Sequence, residues 1–176
     1  FRSGYEFFES GSNPNYSRSY GYFLEPTHHT GLLISYKIND VVSVSGALAN
    51  AFAGGINDKT VNETKLTYMG AVTITLPEGA GPLKNSVISA GYVRGRNGML
   101  ATFPVPPNAE DTQYLYAGFT LNTGVEGLQV GAAWDYREDG SNGAVGIDND
   151  AYAIAAYLSF GKDKWKLNAR ADYTQA

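Results

Sequence analysis

The sequence predicts an all-β fold, specifically a transmembrane, antiparallel, up-and-down β-barrel. Three observations predict it: apolar and polar residues alternate along several stretches, short and long connections alternate between those stretches, and aromatic residues lie near their ends. The 21 Gly and 13 Tyr among 176 residues favour turns and strands over helices. No run approaches the ~18 apolar residues of a membrane-spanning helix.

The clearest alternation covers residues 64–76. From Leu66 onward every second residue is apolar or glycine, and the intervening positions carry mostly Thr or Lys. Because successive strand side chains point to opposite faces, this is a strand with one apolar and one polar face. A helical period of 3.6 would instead scatter the threonines among the apolar residues. The stretch is long enough to supply the ~9–11 residues with which a tilted strand crosses a bilayer.

Eight further stretches alternate in the same way, which gives about nine strands. They are residues 4–9, 32–38, 42–49, 86–94, 114–121, 128–137, 152–160 and 165–174. Asn39 and Asp40 are interpreted as a two-residue hairpin turn. Residues 10–27 are interpreted as a long loop with room for a short helix, since Asn13, Pro14 and Asn15 are turn formers.

The connections between these strands alternate in length. Those at 39–40, 123–127 and 161–164 are short, 77–85 is intermediate, and 51–62, 95–110 and 138–150 are long. Short turns at one end and long loops at the other are typical of outer-membrane barrels. Trp165 and Tyr173 bracket one predicted strand, and Tyr152 and Phe160 bracket another. Eight residues of tilted strand separate each pair, roughly 20 Å along the barrel axis, which is close to the ~25 Å apolar band that aromatic girdles flank.

Charge and composition exclude several function classes. A net charge of -4 and a pI near 5.1 give no basis for binding nucleic acid, which requires a concentrated basic face. The absence of Cys excludes disulfides and thiolate metal sites. Because no Ser-His-Asp or paired-carboxylate arrangement stands out, we expect a protein that is not an enzyme and has no cofactor and no metal site.

The polar faces carry charges of both signs, which cannot form a dry core without a heavy desolvation cost. In a membrane barrel these residues line an aqueous lumen, whereas in a soluble barrel they form the solvated outer surface. Loop asymmetry, strand length and aromatic placement favour the membrane barrel. The residues predicted to line the pore are Lys37, Lys65, Gln129, Asp135, Arg137, Lys166, Arg170 and Asp172.

The first long loop contains three candidate residues for a constriction: Arg18, Glu25 and His28. If the loop folds into the lumen, such charges set ion selectivity. The alternative is that Arg18 and Glu25 only anchor the loop to the barrel wall by ion pairs. Because an odd strand number is unusual for a bacterial barrel, we expect residues 1–176 to be a single β-barrel domain that is part of a larger barrel.

Four short motifs resemble the OmpL-like β-barrel porins. They are Asn-Tyr-Ser-Arg-Ser at 15–19, Glu-Pro at 25–26, His-His-Thr-Gly at 28–31 and Tyr-Lys-Ile-Asn-Asp at 36–40. The resemblance is most specific over residues 15–50 and architectural beyond them. It implies a channel in the bacterial outer membrane for small hydrophilic solutes. The chain is far shorter than a whole barrel of that family.

The leading hypothesis is therefore a porin-type channel for passive diffusion. We expect its partners to be outer-membrane lipid and small hydrophilic solutes, with a homo-oligomer or a larger membrane complex left open. One alternative is a structural or adhesive outer-membrane barrel that does not conduct. The other is a soluble, lipocalin-like barrel that binds an apolar ligand inside.

Overall fold

In the computed structural model, the described residues form one antiparallel sheet of eight strands, each paired with its neighbours in sequence. The structure describes residues 4–53, 66–96, 110–140 and 149–175. The strands are β1 (Gly31–Lys37), β2 (Val42–Ala49), β3 (Thr67–Thr75), β4 (Val87–Gly95), β5 (Glu110–Asn122), β6 (Leu128–Gly140), β7 (Asn149–Lys162) and β8 (Trp165–Gln175). The predicted all-β, up-and-down architecture is confirmed.

Helices are few and short. One α-helix, α1 (Tyr20–Leu24), precedes β1, and 3-10 helices cover Ser10–Ser12 and Glu78–Leu83. None of the described residues belongs to a helix long and apolar enough to cross a bilayer. The helix allowed for in the first long loop is therefore present as α1.

The two faces of the sheet differ sharply, as the alternation predicts. Along β7, Tyr157 is buried while its neighbour Leu158 is exposed. On β8, Trp165, Leu167 and Tyr173 are 77%, 59% and 57% exposed. We call the face with the exposed large apolar residues the outer face. The opposite, inner face holds the buried side chains.

The two ends of the sheet also differ. Residues 38–41, 76–86, 123–127 and 163–164 connect strands at one end, which we call the short-turn end. At the other, long-loop end the strands are separated by residues 50–66, 96–109 and 141–148, and of these the residues 54–65, 97–109 and 141–148, on which the predicted long loops fall, lie outside the described residues. The last of these is shorter than the predicted 138–150, because Glu138 pairs with Asp150 and Asp139 with Asn149 and so extend β6 and β7.

Two local predictions are wrong. Residues 4–9 do not form a strand, since their contacts are with side chains of the inner face and of the following loop; Phe7 N, for example, donates to Asn13 Oδ1 at 2.8 Å. The first hairpin turn is not a two-residue turn. Ile38 N donates to Val42 O at 2.9 Å, which leaves residues 39–41 in the loop, and Asn39 Oδ1 accepts from Val41 N and Val42 N at 2.8 Å each. The Asn side chain replaces the backbone bond of a tighter turn.

Candidate functional site on the inner face

Residues 4–30, which we call the inner segment, lie against the inner face of the sheet. Near the short-turn end, Tyr5 Oη and Thr120 Oγ1 share a hydrogen bond of 2.9 Å, and the Tyr5 ring stacks on Tyr157 at 4.1 Å between centroids. Near the long-loop end, His29 Nδ1 lies 3.2 Å from Ala51 O. The inner segment therefore crosses the inner face from one end of the sheet to the other.

Glu6 attaches the inner segment to the sheet. Its carboxylate is only 2% exposed and lies 3.2 Å from Arg170 Nη1 on β8. Tyr157 Oη on β7 donates to the same oxygen at 3.3 Å, and Ser19 N donates to the second oxygen at 3.2 Å. Arg18 Nη1 is 3.9 Å away. A buried charge is stable only when it is paired and hydrogen-bonded, and Glu6 meets both conditions.

Arg170 binds the backbone of the inner segment as well. It donates to Ser17 O at 2.5 Å and to Arg18 O at 2.7 Å, and its Nε lies 3.3 Å from Asp172 Oδ2. The planar guanidinium offers five donors in a fixed geometry, so one side chain can hold several acceptors together. Arg170 thus joins the wall to the inner segment through charge and through two carbonyls.

Helix α1 packs on β6, β7 and β8. Ser19 begins it, because its Oγ accepts from Tyr22 N at 3.3 Å and so satisfies one of the free N–H groups of the first turn. Tyr20 N donates to Asp172 Oδ2 at 3.1 Å, so a carboxylate of the wall also lies at the start of the helix. The cap and the hydrogen bond from Tyr20 N to Asp172 hold the start of α1 against the inner face.

Asp135 lies beneath α1 and is 2% exposed. Tyr114 Oη on β5 donates to its Oδ1 at 2.5 Å. A Cβ at Gly21 would overlap the other oxygen of this carboxylate. The absence of a side chain at Gly21 therefore allows α1 to approach the wall at this point.

The three predicted constriction residues all belong to the inner segment, but their contacts differ. Arg18 donates to Phe7 O at 2.5 Å and to Phe8 O, and its guanidinium lies 4.5 Å from the Tyr22 ring centroid. Arg18 therefore bonds mainly to other residues of the inner segment. The ion pair between the inner segment and the sheet is formed by Glu6 and Arg170.

The other two constriction candidates lie further along the segment. Glu25 is half-buried, with its carboxylate in the space that a Cβ at Gly4 would need. His28 is exposed and shares a hydrogen bond of 3.0 Å with Thr27 Oγ1. The adjacent His29 is half-buried between Pro26 O and Ala51 O, and burial lowers the pKa of its imidazole.

Apolar and aromatic side chains fill the inner face from the long-loop end toward the middle. Phe52 is fully buried there, and the Arg137 guanidinium lies 5.2 Å from its ring centroid while pairing with Asp139 at 2.9 Å. The buried cluster comprises Ala49, Phe52, Met69, Val93, Tyr114, Tyr116, Ala133, Ala155 and Tyr157. This part of the inner face is dry.

The predicted pore-lining residues are distributed over wet and dry parts of the inner face. Asp135 and Arg137 are buried, and Arg170 and Asp172 are half-buried under the inner segment. Lys37, Gln129 and Lys166 are exposed toward the short-turn end; Lys37 pairs with Asp40 at 2.7 Å and Gln129 donates to Asn122 Oδ1 at 2.9 Å. Lys65 lies outside the described residues. Pore lining stays a prediction for all eight.

A cavity of about 390 Å³ lies between the inner segment and the sheet at the short-turn end. Tyr5, Phe7 and Asn13 line it from the segment, and Gln129, Ser159 and Lys166 line it from the sheet. It is open to solvent and mostly polar, in contrast to the dry cluster at the other end.

Sequence reasoning missed the residues that hold the inner segment in place. Glu6 lies in a stretch interpreted as a strand, and Tyr157 and Tyr114 were assigned only to strand faces. One signal was present: Glu6 is an acid in a run of aromatics, Tyr5, Phe7 and Phe8, and such an acid requires a partner when the run is buried. Its partner Arg170 is 164 positions away and cannot be located from spacing alone.

The chain matches a known protein family. The family model described as "Putative beta-barrel porin-2, OmpL-like" matches residues 3–176. No curated protein and no solved structure matches the chain. The resemblance stated from the motifs in residues 15–40 is therefore confirmed, and it extends over almost the whole length.

Proposed function

The chain belongs to the OmpL-like family of β-barrel porins, and on that premise we propose that it acts as a passive diffusion channel in the bacterial outer membrane. Its solutes are small and hydrophilic, and no chemical step is involved. The outer face, with its exposed apolar side chains, meets the lipid. The short-turn end faces the periplasm and the long loops face outward, as in other outer-membrane barrels.

One observation carries the proposal: the inner segment is bound to the inner face by a buried ion pair. Glu6 and Arg170 hold residues 4–30 across the sheet, where a segment narrows the space available to a solute. Constrictions lined by fixed charges set which ions pass. Arg18 and Glu25 of the segment are half-buried on this inner face, whereas Glu6 is buried and holds the segment in place.

The test is conductance of the protein in planar lipid bilayers, with Glu6→Gln as the informative variant. Removing one partner of a buried ion pair costs about 3–5 kcal/mol, because the other charge is left uncompensated. We expect Glu6→Gln to loosen the inner segment and to raise single-channel conductance above that of the wild type.

Glu9→Gln is the matched control, because Glu9 is an exposed acid of the same segment. We expect its conductance to equal that of the wild type. A wild-type protein that inserts into the bilayer and opens no channels would contradict the proposal. Equal conductance of the wild type and Glu6→Gln would contradict the role of the inner segment.

A second function is favoured by the dry cluster around Phe52. Val93, Tyr114 and Phe52 are fully buried on the inner face, which is the arrangement expected of a plugged lumen. In that case the barrel is structural or adhesive, and partners bind to the long loops. The same bilayer recording separates the two functions, since a plugged barrel inserts without conducting.

A further inference from the structure

Among its described lining residues, the cavity at the short-turn end carries positive but no negative charge. Among the described residues that line it, Lys166 is the only ionisable side chain that carries a charge at neutral pH, and the others are hydroxyl, amide, aromatic or small residues. Its volume of about 390 Å³ is within the range of small-molecule sites. An exposed cavity whose described lining carries one positive and no negative charge attracts anions more strongly than cations.

Lys166 differs from the other cations of the inner face. Arg18, Arg137 and Arg170 each lie within 4.0 Å of a carboxylate oxygen. No carboxylate of the described part of the chain lies within that distance of Lys166, which is exposed on β8. Its ammonium can therefore bind an incoming anion without breaking an existing ion pair.

Two polar side chains of the wall lie in the same cavity as Lys166. Gln129 on β6 uses its amide nitrogen to bond Asn122, which leaves its carbonyl oxygen to accept a hydrogen bond. Ser159 on β7 pairs with Gln129 across the sheet and adds a hydroxyl. Phe7 of the inner segment lines the opposite side of the cavity. Hydrogen-bond acceptors and donors of this kind bind the hydroxyl groups of a solute.

We propose that this cavity is a binding subsite for small polyhydroxy carboxylates, with Lys166 binding the carboxylate and Gln129 and Ser159 binding the hydroxyls. The inference rests on the proposed channel function and names the solute class that the channel favours. A subsite of a diffusion channel must bind weakly enough to release the solute, as conduction requires.

The experiment measures how solutes interrupt the current of the full protein in planar bilayers. Gluconate carries both a carboxylate and hydroxyls, inorganic phosphate is an anion without the polyol chain, and sorbitol is a polyol without charge. We expect gluconate to block at the lowest concentration. Lys166→Gln raises the half-blocking gluconate concentration about tenfold, the loss typical of one charge-assisted hydrogen bond.

Two variants serve as controls. Lys164→Gln removes a lysine of the β7–β8 turn that does not line the cavity, so it leaves gluconate block unchanged. Lys166→Arg keeps the positive charge, so its half-blocking gluconate concentration stays within about threefold of the wild-type value. This variant still tests the role of the charge if the Lys166→Gln protein fails to fold.

The outcomes are distinguishable. Equal gluconate block of the wild type and Lys166→Gln, in channels that conduct, would overturn the inference while leaving the channel function intact. Phosphate blocking as strongly as gluconate would overturn the assignment to polyhydroxy carboxylates, and equal block by sorbitol would overturn the role of Lys166. A wild type without channels contradicts the proposed function itself.

Discussion

Two glycines of the inner segment lie where a neighbouring carboxylate occupies the space that a Cβ would need. Gly4 faces Glu25 in this way, and Gly21 faces Asp135. At Gly21 the carboxylate is itself buried and bonded to Tyr114, so it cannot move aside without losing that bond. These contacts are set by neighbours far apart in sequence.

Gly21→Ala is expected to destabilise the protein by about 1–3 kcal/mol, because a methyl group is forced against the buried Asp135 carboxylate. The better helix propensity of Ala offsets at most ~1 kcal/mol of this. The measurement is the midpoint of denaturant unfolding in detergent. Gly11→Ala is the control, since no atom lies within 4 Å of its added Cβ, and its free energy of unfolding stays within about 0.5 kcal/mol of the wild-type value. A Gly21→Ala midpoint as high as that of Gly11→Ala contradicts this account.

His29 makes the packing of the inner segment depend on pH. Burial lowers the pKa of His29 below its ordinary value of 6.5, so the unfolded chain binds more protons than the folded one between the two pKa values. The free energy of unfolding therefore rises with pH through that window. The contribution of neutral His29 is fully present above about pH 6.5 and is lost as the pH falls through the window.

The measurement compares protease cleavage of the inner segment at about pH 8 and about pH 5. Cleavage is faster at the lower pH in the wild type, and His29→Gln removes most of the difference. His28→Gln, which changes an exposed neighbour, keeps it. A pH dependence that survives in His29→Gln refutes the assignment.

At the scale of elements, α1 depends on its first turn. Ser19 Oγ accepts from Tyr22 N, and Ser19 N donates to Glu6, so this residue both begins the helix and bonds the ion pair that anchors the segment. A helix of five residues has little stability of its own and depends on such contacts.

Ser19→Ala is expected to cost about 1 kcal/mol through loss of the cap, while the backbone bond to Glu6 remains. Denaturant unfolding in detergent measures it. Ser12→Ala is the control, because Ser12 is exposed and the only bond shown for it is a backbone one to Glu9 O. Equal midpoints for the two variants would mean that the cap contributes nothing.

The strands could be predicted from the sequence because each signal is local. Alternation with a period of two identifies β1 to β8 without knowledge of their partners, and turn residues separate them. Residues 4–9 alternate less regularly, with one Glu on each face, and are not a strand. Their conformation depends on contacts with Thr120, Tyr157 and Arg170, which a local sequence pattern cannot predict.

For the site residues, too, the features set by local sequence could be predicted and those set by distant contacts could not. The face of each candidate was predictable: Asp135, Arg137 and Arg170 share the inner face, as the alternation requires. Their burial was not, because it depends on where residues 4–30 and Phe52 pack. The distinction between a dry long-loop end and an open short-turn end likewise comes only from the folded chain.

At the scale of the whole molecule, the proposed function requires that lipid covers the outer face of the sheet and that the inner segment lies on the inner face. The exposed apolar side chains would be costly in water, since contiguous apolar patches of this kind are rare on soluble monomers. In a bilayer they are the expected surface, and a charge placed among them at mid-depth costs about 2–4 kcal/mol.

Fluorophore quenching tests this arrangement most directly, and the sequence contains no Cys that would interfere with labelling. A bimane is attached to Leu158→Cys on the outer face or to Lys166→Cys in the cavity, and each protein is reconstituted into vesicles. We predict that brominated acyl chains quench the label at position 158 and that aqueous iodide quenches the label at position 166. Quenching by iodide at 158 together with quenching by lipid at 166 would contradict the account.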